Sequence, residues 1–258
     1  MANFYTEERL LALVGLISKP RFDPYLQACN GNISLAVDLY VWNQDLGASF
    51  YTPLAILEVA LRNSLHHELT ILFGTSWHRD SRFHKVGTTI LNARSFTVPD
   101  KSARRPNTDI LAQPAKLDEK LHAELRRRAG PILKPGVKLV PTTDDIVGGL
   151  DFGYWTSLLN RDVENSLYAA GLYKAFPHAP HTTRKKPDRA VIAQKLRDLR
   201  ILRNRVMHHE SLFHRKNIRG DIRGIVEVCR WIKPIAAEWI DHLSRMEDIL
   251  KAAPIPVT

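Results

Sequence analysis

Residues 187–206 read PDRAVIAQKLRDLRILRNRV. Val191, Leu196, Leu199, Leu202 and Val206 form an apolar stripe along that stretch, with basic and acidic side chains interleaved. Pro187-Asp188 opens it, because proline fits the first turn of a helix and an aspartate oxygen can accept from its unpaired N–H groups. The same period continues upstream and predicts helices at about 6–18, 22–29, 33–47 and 52–73. Thr6 is the first N-cap, with Glu7 and Glu8 in the first turn, and Asn30-Gly31 and Thr52-Pro53 mark the later boundaries.

Further along, a helix fits 116–129 and stops at Gly130-Pro131; Asp144 and Asp145 cap a short one; Gly153–Gly171 holds one or two more. A final long helix is expected from about Ile218 to Leu250. Between these lie a long loop at 97–115 with Pro99, Pro106 and Pro114, an irregular stretch at Pro131–Pro141 and a basic loop at 177–187. Strand alternation is nearly absent and no solenoid repeat is visible. The expected fold is therefore all-α, a single domain over 1–258 with additional N-terminal helices and a loop-rich basic insertion at about 76–140.

The 258 residues are 44% hydrophobic and 25% charged, which suits a globular chain with a real core. The net charge of +10 is concentrated rather than spread. Residues 76–140 hold 14 basic and 6 acidic side chains, and residues 179–223 hold 13 and 4, while the remainder is acidic. Two basic segments in an acidic frame suggest an electrostatic track for nucleic acid. Arg184, Lys185, Lys186, Arg200, Arg205, Arg215 and Lys216 are the candidate RNA contacts. Apolar runs of about eight residues, as at Leu10–Ile17, fall well short of a membrane span. No signal peptide is read there either, since Glu7 and Glu8 precede the run, and Cys29 and Cys229 are too few for a disulfide framework; the chain reads as cytosolic.

One local pattern occurs twice. Residues 61–68 read LRNSLHHE and residues 202–210 read LRNRVMHHE. In the first copy Glu58 lies one turn before Arg62, the spacing of an ordinary ion pair on a polar helix face. The second copy sits in the basic segment, near the end of its helix and ahead of His214, Arg215 and Lys216. Imidazole moves protons near neutral pH, and a guanidinium grips phosphate and offsets charge developing on it. Asn204 and His208 share a helix face, whereas Arg203 and His208 are about 140° apart. Those two meet on one phosphate only if the helix breaks between them or a second subunit supplies one group.

At these residues the chain resembles a known family. Arg203-Asn204-x-x-x-His208 is similar to the Arg-polar-spacer-His motif of HEPN-domain ribonucleases, and Leu199–Glu210 resembles the Abi-like (abortive infection) proteins of bacteria. Leu39–Asn43, Glu58–Asn63 and Leu150–Trp155 agree with that family in order, so the resemblance spans roughly 10–245. It implies a HEPN-like helical bundle, a homodimer whose motifs face each other in a composite site, and RNA cleavage that uses neither metal nor cofactor. The products implied are 2′,3′-cyclic phosphate and 5′-hydroxyl ends. His208 would be the general base or acid, Arg203 would stabilise the phosphorane, Asn204 would bind the phosphate, and His209 and Glu210 would support them. Glu58, Arg62, Asn63 and His67 of the first copy would support the same site, hold the fold or bind RNA. The biological role implied is a toxin or phage-defence protein, and its positive charge would suit an acidic antitoxin or regulator.

Other chemistries fit less well. The His-His-Glu triplets lack the one-face His-x-x-x-His spacing of a zinc hydrolase. There is no phosphate-binding G-x-x-x-x-G-K-[ST] loop, Gly148-Gly149 lacks a dinucleotide fingerprint, and no G-x-S-x-G elbow occurs. The competing class is a non-catalytic RNA- or nucleotide-binding helical module, with Phe152, Tyr154 and Trp155 either stacking on bases or, more often for such a cluster, forming core with Tyr40 and Trp42.

Overall fold

A computed structural model describes residues 5–80, 82–83, 112–129, 140–181 and 186–256. Of the insertion expected at about 76–140, residues 81, 84–111 and 130–139 lie outside the described residues, as do most of the 97–115 loop, Arg184 and Lys185. Among the described residues there are ten α-helices, no strand beyond one bridge pair, His181–Pro187, and no helix long and apolar enough to cross a membrane.

The helices are α1 (Glu7–Ile17), α2 (Lys19–Ala28), α3 (Ile33–Phe73), α4 (Gln113–Ala129), α5 (Thr143–Gly149), α6 (Phe152–Ser157), α7 (Arg189–Met207), α8 (Ile218–Ile232), α9 (Pro234–Leu243) and α10 (Met246–Lys251). Two compact units divide them. One takes Met1–Ile56, Ile201–Glu227 and Ala237–Thr258; the other takes Leu57–Arg200 and Val228–Ala236.

Two expected boundaries are wrong. Thr52-Pro53 does not separate two helices, because α3 runs through it for 41 residues. A proline inside a helix costs about 3 kcal/mol or more. Against that, Leu46, Phe50, Leu54, Leu57, Leu61, Leu65 and Leu69 are all buried along the same helix, each contributing about 1.5–3 kcal/mol. Burial wins, and the helix continues. Conversely, the single helix expected over 218–250 is three helices, α8, α9 and α10. Pro234 disfavours helical geometry at Lys233 and restarts the chain as a first-turn residue.

In the first unit, Tyr25 of α2 packs edge-on against Tyr40 at 5.3 Å and tilts against Phe213 at 4.9 Å. Trp42 donates to the carbonyl of Ile249 at 2.7 Å, which ties α10 to α3, and Met246 is turned inward with its sulfur 3.8 Å from Ser49 Oγ. These anchors account for the second break, at Ser244-Arg245. The α2–α3 turn is made by Asn30 and Gly31 at φ 51° and 82°, left-handed values that asparagine and glycine tolerate.

In the second unit, Phe152, Tyr154 and Trp155 are buried core residues. Their neighbours differ from those expected: Trp155 meets Trp77 at 6.3 Å and Tyr154 at 5.1 Å, while Tyr40 packs edge-on against Tyr25. Thr142 and Asp145 cap α5 reciprocally, and Asp151 accepts from Tyr154 N at 2.7 Å to start α6. Asp188 Oδ1 accepts from Ala190 N and Val191 N, so α7 opens where the sequence predicts. Its core stripe uses Ile192 in place of Val191, which is 45% exposed. Arg79 grips Asp118 of α4 through two bonds of 2.7 and 2.9 Å, and their mutual pairing holds the Asp118 carboxyl below its ordinary range.

His66 belongs to this second core. Trp77 Nε1 donates to His66 Nδ1 at 2.9 Å, so that nitrogen must be unprotonated, and burial lowers the imidazole's pKa. Its contribution to stability is complete above the unfolded value of about 6.5 and is lost as pH falls through its depressed folded-state value. Thermal unfolding between pH 7.5 and 5 should show a steeper fall in Tm for wild type than for His66→Gln. Parallel slopes would remove His66 as the titrating group.

Candidate functional site

The second His-His-Glu triplet is where α7 ends. His209 N–H donates to Val206 O at 3.2 Å, and Glu210 N–H donates to Arg205 O at 2.9 Å. With His209 at φ 54°, this is a Schellman stop that carries histidine where glycine is usual. A left-handed histidine costs about 1–2 kcal/mol relative to glycine, so local backbone preference alone does not explain its presence. Arg205 and Glu210 meet across the stop at 3.7 Å, but both are about half exposed, so the pair adds little stability.

This stop falls after His208. The His208 N–H still donates to Asn204 O at 2.9 Å, which keeps His208 in helical register. Asn204 and His208 are exposed one turn apart on the same face, while half-buried Arg203 remains about 140° around the axis. The helix does not break between Arg203 and His208.

Beyond the stop, buried Asn43 of α3 secures the chain. Its Oδ1 accepts from Leu212 N at 2.7 Å and from Phe213 N at 3.2 Å. Phe213 then packs on Tyr25, and His214 lies against Phe213 with ring centres 3.7 Å apart. Arg215 is held by Asp221 in a two-bond pair, with Nη2 2.6 Å from Oδ1. Lys216 is exposed.

Between the middle of α3 and the end of α7 lies a surface cleft of about 560 Å³. Gln44, Gly47, Ala48 and Tyr51 form one wall, and Met207, His209, Glu210 and Leu212 the other. Arg203, Asn204 and His208 are not among its walls. All of these residues belong to one unit.

The first copy of the pattern lies in the other unit. Arg62 and Glu58 are half-buried and form the i,i+4 ion pair at 3.2 Å that their spacing predicts. Asn63 and His67 are exposed, and the histidine with a fixed partner is His66. Arg200 is half-buried in the same unit, and Lys186 sits 4.8 Å above the Tyr173 ring. Among the described residues no three His, Cys, Asp or Glu side chains gather into a set that could hold a metal ion. Both cysteines are buried, and burial pushes the Cys229 thiol up to about 12.

Asn43, Gln44 and Tyr51 are the residues here that motif reading missed. Asn43 closes the Leu39–Asn43 string, but an asparagine inside a helix reads as polar surface unless its partner 169 positions away is known. The chain matches no family model, no curated protein and no solved structure.

Proposed function

We propose that this chain is a metal-independent endoribonuclease of the HEPN type, working as a homodimer in a toxin or phage-defence role. The observation that carries the reading is the Arg203-Asn204-x-x-x-His208 string at the end of a strongly basic helix, with Asn204 and His208 exposed together on one face. On this reading Asn204 holds a phosphate oxygen while His208, one turn away, exchanges the proton. The ribose 2′-oxygen attacks the adjacent phosphorus as its proton leaves, the P–O5′ bond breaks, and the 5′-oxygen takes up a proton. The ends are a 2′,3′-cyclic phosphate and a 5′-hydroxyl. Arg203 faces another direction and offsets the phosphorane charge in the partner's site, so each site draws an arginine from one subunit and a histidine from the other. His209 and Glu210 serve the helix stop that presents His208.

The test is RNA cleavage in EDTA, wild type beside His208→Ala, with product ends mapped. Wild type should yield cyclic-phosphate ends, and the variant should be slower by about 10²–10⁴-fold, the usual value of a positioned acid–base group. Intact RNA in both, with binding retained, would favour a non-catalytic RNA- or nucleotide-binding module.

A further inference from the structure

We infer that the cleft between α3 and the end of α7 is a base pocket that takes a guanine from single-stranded RNA. The inference rests on the ribonuclease reading for its substrate class, but not for its geometry. The volume of about 560 Å³ lies within the range of about 300–1,000 Å³ typical of small-ligand sites. Gly47 and Ala48 contribute almost no side chain on the α3 wall, leaving room for a flat ring. Tyr51 borders that room and is 59% exposed, unlike the other aromatics of the same helix segment, Tyr40, Trp42 and Phe50. An accessible ring beside a cleft is the platform on which unstacked bases settle.

The polar groups select among bases. Glu210 is carried by the Schellman stop, so its backbone position is set by hydrogen bonds rather than by a free loop. An ionised carboxylate is acceptor-only, with more lone pairs than the 3.7 Å contact of Glu210 to Arg205 uses. Two carboxylate oxygens match the adjacent N1–H and N2–H₂ donors of guanine. Adenine and cytosine each offer a single exocyclic amine, and uracil a single imide N–H. Guanine also carries the O6 acceptor on that edge. Gln44 lines the cleft, and its amide nitrogen is shut off from water without an acceptor among the described residues. Rotation about the last side-chain bond, a soft torsion, offers that donor to O6 and relieves a buried unsatisfied group.

The placement also suits the chemistry. The left-handed turn at His209 puts His209 and Glu210 into the cleft and leaves His208 outside it. His208 immediately precedes that turn, so on this proposal the ribose and phosphate of a guanine seated in the cleft run toward His208. The pocket would choose the nucleotide next to the scissile bond.

The experiment is calorimetric titration of the full chain with guanosine, adenosine, cytidine and uridine 5′-monophosphates, repeated with Glu210→Gln and Tyr51→Ala. Guanosine monophosphate should bind at least about tenfold more tightly than the other three, the worth of a charge-assisted pair of hydrogen bonds. Glu210→Gln should erase that margin, and Tyr51→Ala should weaken all four together. Ala48→Trp, which fills the cleft from an exposed helix position, should abolish binding without touching the helix stop. Equal affinities in wild type, a guanine margin that survives Glu210→Gln, or no binding of any nucleotide would overturn the pocket. Mapping the ends of cleaved RNA separates this failure from failure of the ribonuclease. RNA cut with no guanine beside the break, and no nucleotide bound, removes the pocket alone. Guanine-selective binding with RNA left whole removes the nuclease alone.

Discussion

Asn43→Leu should lower the free energy of unfolding by roughly 2–5 kcal/mol, a large fraction of what a domain usually has. Asn43 is 2% exposed, and its one carbonyl oxygen serves the backbone N–H groups of both Leu212 and Phe213, themselves buried. Leucine keeps the same number and branching of side-chain heavy atoms with greater hydrophobicity, so packing alone predicts a smaller change. The hydrogen-bond account predicts a large one, because two buried donors lose their acceptor at about 1–3 kcal/mol each. Val41→Ala, on the same helix but 45% exposed, is the control and should shift stability by no more than about 0.5 kcal/mol. Urea unfolding of the three proteins decides the matter, and an Asn43→Leu midpoint level with the control would sink the anchor. Amide exchange at Leu212 and Phe213 should also accelerate in the variant.

That anchor shows where sequence reading succeeds and where it stops. Helical period and caps are local properties, so the openings of α1 and α7 at Thr6 and Asp188 were legible from residues alone, whereas α5, expected to be capped by Asp144 and Asp145, is capped by Thr142 with Asp145 as its reciprocal partner. The proline boundaries were not, because the rules for a single proline conflict. At Pro53 seven buried side chains along α3 outweigh the ring, while at Pro234 the chain bends into a new helix. Deciding between those outcomes requires the tertiary partners. The same limit applies to the site. The spacing of Arg203, Asn204 and His208 carries the angular relation among them, and the His208-to-Asn204 backbone bond preserves it. What His209 and Glu210 do was hidden, since a histidine gives no sign in sequence that it holds a left-handed helix stop. The Gln44–Tyr51 wall was hidden as well, because it is about 160 residues from the motif it faces.

The angular relation yields the second large effect. Arg203→Ala should cost about 10²–10³-fold in RNA cleavage, as a lost transition-state donor does, and His208→Ala about 10²–10⁴-fold. Each homodimer is then nearly silent. If a site takes its arginine from one subunit and its histidine from the other, a mixed dimer concentrates both defects in one site and leaves the other wild type. Random one-to-one mixing makes half of the dimers mixed and half of their sites intact, so roughly a quarter of wild-type activity should return. Recovery should track the fraction of mixed dimers, measured on tagged subunits. A site contained in one subunit behaves differently, because every site in every dimer then carries one defect and mixing restores nothing. The about 140° between Arg203 and His208, in a helix that does not break between them, makes recovery the expected result. Mixed dimers that form and remain silent would mean that the arginine and the histidine do not act on the same phosphate.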